Sequence, residues 1–169
     1  MGDKLNACEA FEIRNVRIDA APMKITDALR AEHVVFHNFF DQVERMAPKL
    51  KSVAEARSLA CLLESLLEAH SNVEEELLIA PLEHCLEQIG HGETFHQEHQ
   101  EIDDNLKQTQ LARNLKQART HLLAAVVSSR KHFDKEERIV FPLAEKLLKS
   151  RTLTELWNAW TEQRNRMLD

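Results

Sequence analysis

Apolar residues recur three and four positions apart along most of the chain, which is the spacing of amphipathic helices. In the first such stripe Leu29, Phe36 and Phe40 fall on one face of a helix. With only three glycines and four prolines, the composition favours helices and leaves little punctuation for hairpins. The pattern predicts an all-α protein whose four long helices run from Thr26 to Pro48, Ser52 to Pro81, Thr94 to Gln108 and Asn114 to Pro142.

Capping residues and prolines suggest where the first two helices begin and end. Thr26 is predicted to cap the first helix, and Ser52 opens a capping box with Glu55 at the start of the second. Pro81 is expected to kink or break the second helix, with a short continuation to Gly90.

The second pair of helices repeats the first pair. Short connections make successive helices antiparallel, so the repeat predicts an up-down-up-down four-helix bundle over residues 25–149. Residues 1–23 are expected to form an N-terminal arm lying over the bundle, and residues 152–168 an additional C-terminal helix that covers it. At 169 residues the chain suits a single domain spanning 1–169.

The second and fourth helices both carry the motif His-x-x-x-Glu-Glu, followed by a proline, with copies that begin at His70 and His132. Because residues four apart lie on one helix face, each copy points an imidazole and a carboxylate at the same place. The following glutamates, Glu75 and Glu137, are rotated by about 100° and are expected on a solvated face.

The first and third helices add His33 and His99 to their own apolar stripes. One histidine on such a stripe is more often a hydrogen-bonded core residue, but four of them in register with two glutamates indicate a metal site. Burying two carboxylates without compensation costs roughly several kcal/mol each, and the stripes offer no lysine or arginine to offset that cost. Imidazole and carboxylate ligands without thiolate suit iron or manganese, and zinc is compatible.

Two ions side by side account for the whole set of side chains. His33 and His70 are predicted to bind one ion and His99 and His132 the other, with two glutamates bridging them and one position left open for a small ligand. Further candidates lie one helical turn away: His37 as an additional ligand or a core hydrogen-bonding group, His96 as a replacement for His99, and Asp103 as the counterpart of His37. The predicted metal ligands are His33, His37, His70, Glu74, His99, His132 and Glu136.

Charge and hydropathy narrow the partners. A net charge of -6 with scattered basic residues argues against nucleic acid. The apolar runs are far shorter than the ~20 residues of a membrane-spanning helix, and the charged N terminus does not look like a signal peptide. Three cysteines do not suggest a disulfide framework. We therefore expect a cytoplasmic protein that binds neither membranes nor nucleic acid, while a protein partner and the oligomeric state stay open.

At these residues the chain resembles the hemerythrin-like, or HHE cation-binding, family, over about residues 25–149. The resemblance implies a four-helix bundle around a pair of iron ions, joined by an oxo or hydroxo bridge, that binds dioxygen or responds to oxygen, nitric oxide or iron supply. Carried over residue by residue, it selects His33, His70, Glu74, His99, His132 and Glu136. Oxygen-carrying members have an extra histidine on the third helix and an aspartate on the fourth, whereas this chain has His37 on the first helix and Glu136 on the fourth.

Three functions remain open from the sequence. The first is binding or sensing of dioxygen or a related small ligand without turnover. The second is a di-iron enzyme acting on peroxide or nitric oxide, and the third is a metal-stabilised bundle that acts through a protein partner. No glycine-rich phosphate loop or nucleophile elbow supports a nucleotide-binding or hydrolase function.

Overall fold

The computed structural model describes the backbone of residues 22–90 and 92–166, and the side chains of these ranges apart from residues 92–94. This part of the chain is helical and contains no strand, which confirms the all-α class. Most of the predicted arm, residues 1–23, lies outside the described residues, and the extent of the single domain stays a prediction. The helices are α1 Ile25–Met46, α2 Val53–Glu74, α3 Ala80–Gln88, α4 Gly92–Leu111, α5 Leu115–Lys135, α6 Phe141–Leu147 and α7 Ser150–Arg166.

Four helical stretches form the bundle, because α2 continues into α3 and α5 continues into α6. Helix α4 packs along α5, α2 packs on both of them, and α1 contacts α5 and α2. Helix α7 lies against α1 and the turn that follows α2. The four-helix bundle with an additional C-terminal helix is therefore confirmed. Among the described residues, every helix is too short or too polar to cross a membrane.

The prolines do not break the helices. Instead, a π-helical turn precedes each of them, at Glu75–Ile79 and Glu136–Val140. In both copies the turn ends two residues before the proline, so its position follows the proline. A proline in a regular α-helix lacks one N–H donor and clashes with the carbonyl four residues earlier, and the wider π turn relieves both problems. Of the two outcomes expected at Pro81, a kink or a break, the break is wrong, and the short continuation toward Gly90 agrees with α3, which runs to Gln88. The expected end near Pro142 is wrong, because α6 continues to Leu147.

The helix starts agree with the sequence only in part. The hydroxyl of Ser52 accepts a hydrogen bond from the Glu55 backbone N–H at 3.2 Å, as the capping box predicts. The Thr26 cap is wrong, because α1 begins one residue earlier and Lys24 occupies the N-cap position. The Thr26 hydroxyl instead donates to the Glu145 carboxylate at 2.8 Å and ties α1 to α6.

Two apolar clusters lie on either side of a layer of buried polar side chains. The first fills the end of the bundle around Phe40, Leu63, Leu106 and Leu122. The second is built from α1, α3, α4, α6 and the two π turns, and Leu153 of α7 is buried in it. The polar layer between the clusters contains His33, His70, Glu74, His132 and Glu136, which are at most 2% exposed.

Candidate metal centre

Six of the seven predicted ligands converge in the polar layer, from α1, α2, α4, α5 and the π turn after α5. They form two groups in which the potential ligand atoms all lie within 4.8 Å of one another. One group is His33, His70 and Glu136, and the other is Glu74, His99, His132 and Glu136. Each helix of the bundle thus supplies at least one of the six side chains, and Glu136 belongs to both groups.

Glu136 has one oxygen on each side of the centre. Its Oε2 lies 3.3 Å from His33 Nε2, and its Oε1 lies 2.5 Å from His132 Nε2. The other glutamate, Glu74, is grouped with the His99 pair, although its Oε2 is also 3.8 Å from His70 Nε2. The two oxygens of Glu136 would therefore allow this carboxylate to lie between two cations.

An outer set of carboxylates orients three of the four histidines. His70 Nδ1 is 2.8 Å from Glu32 Oε2, His132 Nδ1 is 3.2 Å from Glu98 Oε2, and His33 Nδ1 is 2.9 Å from Glu137 Oε1. An imidazole that donates from Nδ1 to a carboxylate keeps a lone pair on Nε2 when it is neutral. The outer carboxylates therefore direct three Nε2 atoms toward the centre.

Two of these outer carboxylates are themselves held by cations. Arg164 of α7 donates to Glu32 Oε1 at 2.7 Å, and Lys135 of α5 donates to Glu98 Oε1 at 2.9 Å. Burial raises the pKa of Glu32, but the bonds to His70 and the charge of Arg164 outweigh it, so the net pKa is below the usual value. The Glu98 pKa is lowered in the same way by its bonds to His132 and Lys135, despite burial.

The carboxylate of Glu74 is the strongest sign that a cation belongs here. Both of its oxygens are buried, and no hydrogen-bond donor reaches them in the described structure. Burial, and then the nearby charge of Glu136, raise the pKa of Glu74 well above its ordinary value. A buried carboxylate without a partner costs free energy that a bound metal ion removes, and the donor set of histidines and carboxylates suits such an ion.

The two groups differ in their access to solvent. A cavity of about 330 Å³ is lined by His99 and His132 of one group and by His70 of the other. His33 does not line it, because the Phe133 ring stacks on His33 with centroids 4.0 Å apart and the Phe141 ring is 5.5 Å from His33. The polar part of the cavity wall is formed by Ser71, Asn72, Glu75, His96 and Asp103.

The structure places His37 outside both groups. Its Nδ1 accepts a hydrogen bond from Arg130 at 3.1 Å, and its side chain is half-buried. Burial lowers the His37 pKa, and the neighbouring Arg130 charge lowers it further. His96 and Asp103, the other candidates one turn away, are exposed and line the cavity without joining either group.

Sequence reasoning gave no role to the outer carboxylates. Glu137, expected on a solvated face, is 40% exposed at its side chain yet bonds to His33. Glu32 and Glu98 carry a signal that could have been used, since each directly precedes a histidine at the same place in the two halves of the repeat. Arg164 has no such signal, because it lies on the helix outside the repeat.

Residues 24–144 match the model of a protein family described as the Hemerythrin HHE cation binding domain. The match covers most of the chain and includes all six converging side chains, whereas α7 lies beyond it. Searches of curated proteins and of solved structures gave no significant match.

Proposed function

Because the chain belongs to the hemerythrin HHE cation-binding domain family, we propose that its buried histidines and glutamates hold two iron ions and that this centre binds dioxygen or a related small ligand. The observation that carries the proposal is Glu74, whose carboxylate is buried without a donor among four imidazoles and a second carboxylate. A buried carboxylate that has no cation beside it costs free energy, so we infer that these side chains serve as metal ligands.

We assign His33 and His70 to one ion and His99 and His132 to the other, with Glu136 and Glu74 between them. Manganese or zinc would suit the same donors, and iron is what the resemblance stated in the sequence analysis implies. When bound, the ions supply Lewis acidity and one-electron redox chemistry for a ligand such as dioxygen, nitric oxide or peroxide. The protein's part is to point the Nε2 atoms inward, which the outer carboxylates do for His33, His70 and His132.

The position of the cavity supports a proposal about which of the two ions binds the small ligand. The cavity is lined by both histidines of the His99 and His132 pair and by His70 of the other pair, whereas the Phe133 and Phe141 rings cover His33. Leu67, Ile102 and Phe133 add an apolar wall to its polar one. We infer that a small ligand enters from this side and meets the ion held by His99 and His132.

Metal analysis of protein purified without added metal, combined with its visible spectrum, tests the proposal. We expect two metal ions per chain and an absorption band that changes reversibly with dioxygen or nitric oxide. His70→Ala and His132→Ala are expected to lose metal, since each leaves a buried glutamate with one ligand fewer beside it. His84→Ala is the matched control, because His84 is exposed and hydrogen-bonds only to Gln88 in the described structure.

A full complement of two ions in His70→Ala or His132→Ala would contradict the ligand assignment. His37→Ala tests the predicted seventh ligand, which lies outside both groups of converging side chains. Retention of both ions in this variant would make His37 a neighbour of the centre, held by Arg130. Loss of one ion would restore it to the ligand set.

The polar wall of the cavity favours a second candidate, a di-iron enzyme acting on peroxide or nitric oxide. Glu75, His96 and Asp103 line the cavity and offer groups that exchange protons with a bound substrate. Steady consumption of peroxide or nitric oxide by the metal-loaded protein would select the enzyme, and reversible binding without consumption would select the ligand-binding protein. If the metal-loaded protein binds none of these small ligands, the remaining candidate is a metal-stabilised bundle that acts through a protein partner.

A further inference from the structure

We propose that the C-terminal helix α7 is part of the metal centre, because Arg164 positions Glu32 and, through it, the His70 imidazole. The inference rests on the proposed function, since it concerns how firmly the ion at His33 and His70 is held. It adds a positioning residue from outside residues 24–144, the part of the chain that matches the family.

Two of the hydrogen bonds of Arg164 bracket one half of the centre. Its guanidinium donates to Glu32 Oε1 at 2.7 Å and to the Ala69 backbone carbonyl at 2.8 Å. Glu32 directly precedes His33, and Ala69 directly precedes His70. One side chain of α7 therefore bonds to the neighbours of both histidines in this group and holds α1 and α2 at a fixed separation.

Arg164 acts on the metal-binding Nε2 of His70 indirectly, through Glu32. Glu32 uses one carboxylate oxygen for Arg164 and the other for the Nδ1 of His70, at 2.8 Å. A carboxylate fixed at both oxygens holds the imidazole ring in one orientation and directs its Nε2 to the centre. The Glu32 side chain is 23% exposed, so without Arg164 its carboxylate can rotate toward solvent. The His70 imidazole then loses the hydrogen bond that fixes its orientation.

The other half of the centre provides an internal comparison. There Lys135 Nζ donates to Glu98 Oε1 at 2.9 Å, and the other oxygen of Glu98 faces His132 Nδ1. The chain of contacts has the same order, cation to carboxylate to histidine, but Lys135 lies on the same helix as His132. Only the half that contains His70 has its orienting cation on α7.

Helix α7 is anchored well away from Arg164, so the contact is separable from the docking of the helix. Leu153 is buried in the second apolar cluster, and Leu156 and Trp160 pack against it. Nearer the centre, Gln163 donates to Glu76 of the π turn at 2.9 Å, and the guanidinium of Arg164 lies over the Trp160 ring. Loss of the Arg164 charge alone should leave the helix docked.

The test compares Arg164→Gln with Lys135→Gln during stepwise removal of metal by a chelator. Second-layer partners of metal-binding histidines typically contribute about 10-fold to 100-fold to metal affinity. We expect Arg164→Gln to weaken one ion by about this factor and to leave the second ion close to its wild-type affinity. Lys135→Gln should weaken the opposite ion, and the visible spectrum of the remaining single ion should differ between the two variants. Arg164→Lys should give partial rescue at most, because an ammonium group lacks the planar fork that reaches two acceptors at once.

Two further measurements separate positioning from general stability. In metal-free protein, the Nδ1 proton resonance of His70, identified by its loss in His70→Ala, should move in Arg164→Gln and stay in place in Lys135→Gln. A purely structural role would lower the unfolding temperature of the metal-free variant, release both ions together and leave this resonance unmoved. That outcome, or wild-type affinity for both ions in Arg164→Gln, would overturn the inference. Failure of the proposed function would give another result, because the wild-type protein itself would then not bind two metal ions.

Discussion

The ring of Phe133 lies parallel to that of His33, with an interplanar angle of 7° and centroids 4.0 Å apart. Phe133 is buried, and it also contacts the rings of Phe36, Phe40 and His70. One phenylalanine thus joins the first apolar cluster to the polar layer, where its ring covers His33 and also forms part of the cavity wall. This ring helps to keep His33 out of the cavity that His70, His99 and His132 line.

Phe133→Ala should destabilise the protein. Removing a buried phenylalanine ring typically lowers the free energy of unfolding by about 3 to 5 kcal/mol, because contacts are lost and a cavity remains. Chemical denaturation of the metal-loaded protein measures the loss. Phe39→Ala is the matched control, since Phe39 is only partly buried at the edge of the same cluster and should cost less. Equal losses in the two variants would contradict the central place assigned to Phe133.

Asp103→Trp should slow the binding of small ligands without removing the ions. Asp103 is exposed and lines the cavity beside His99, so an indole at this position narrows the entrance. We expect the association rate of azide or nitric oxide, followed by stopped-flow absorbance, to fall about tenfold, equivalent to about 1.4 kcal/mol. Leu111→Trp, at the exposed end of the same helix, should bind at the wild-type rate. An unchanged rate in Asp103→Trp would show that ligands enter by another route.

The fold was predictable from sequence because the signals that define each helix are local. The three-and-four spacing of Leu29, Phe36 and Phe40 fixes a buried face of α1 without knowledge of its neighbours. The same local reasoning was wrong about a break at Pro81 and about an end near Pro142, where it assumed a regular α-helix. A π turn preserves the helix at both positions.

The inner part of the centre was predictable for a similar reason, whereas the outer part was not. His70 and Glu74 are four residues apart, so helix geometry alone puts them together. The outer contacts join helices at positions that no spacing rule relates. Glu137 is rotated away from Glu136 on its own helix, yet its carboxylate bonds to His33 on the neighbouring α1. Arg164, which bonds to Glu32, lies on the additional helix α7.

Metal affinity should rise with pH between pH 7 and 8. Burial lowers the pKa of His132, but the Glu136 charge and the bonds to Glu136 and Glu98 raise it more, to about 9. The metal-free protein therefore holds a proton on His132 below this pH, and that proton must leave before the Nε2 atom binds an ion. The affinity for zinc, a redox-inert probe, should increase about tenfold per pH unit and reach a plateau above the pKa. Calorimetry in two buffers of different ionisation enthalpy should show at least one proton released per chain, and a pH-independent affinity would contradict the protonated state of His132.

Glu74→Gln should have opposite effects on the metal-free and metal-loaded proteins. The folded-state pKa of Glu74 is raised, so the folded protein binds more protons than the unfolded chain, and this group costs stability as pH rises through its range. A glutamine keeps the shape and removes the charge, so the metal-free variant should be more stable than the metal-free wild type at pH 8, by roughly 1 kcal/mol or more. With metal the order should reverse, because the variant lacks a carboxylate ligand and gains less from binding. Denaturation of both proteins with and without metal, at pH 6 and pH 8, gives the four comparisons. Glu83→Gln is the control, since Glu83 is exposed on α3 and should shift neither form. A metal-free Glu74→Gln protein that is less stable than wild type at pH 8 would mean that the carboxylate is tolerated in the core without a cation, which is the premise on which the metal assignment stands.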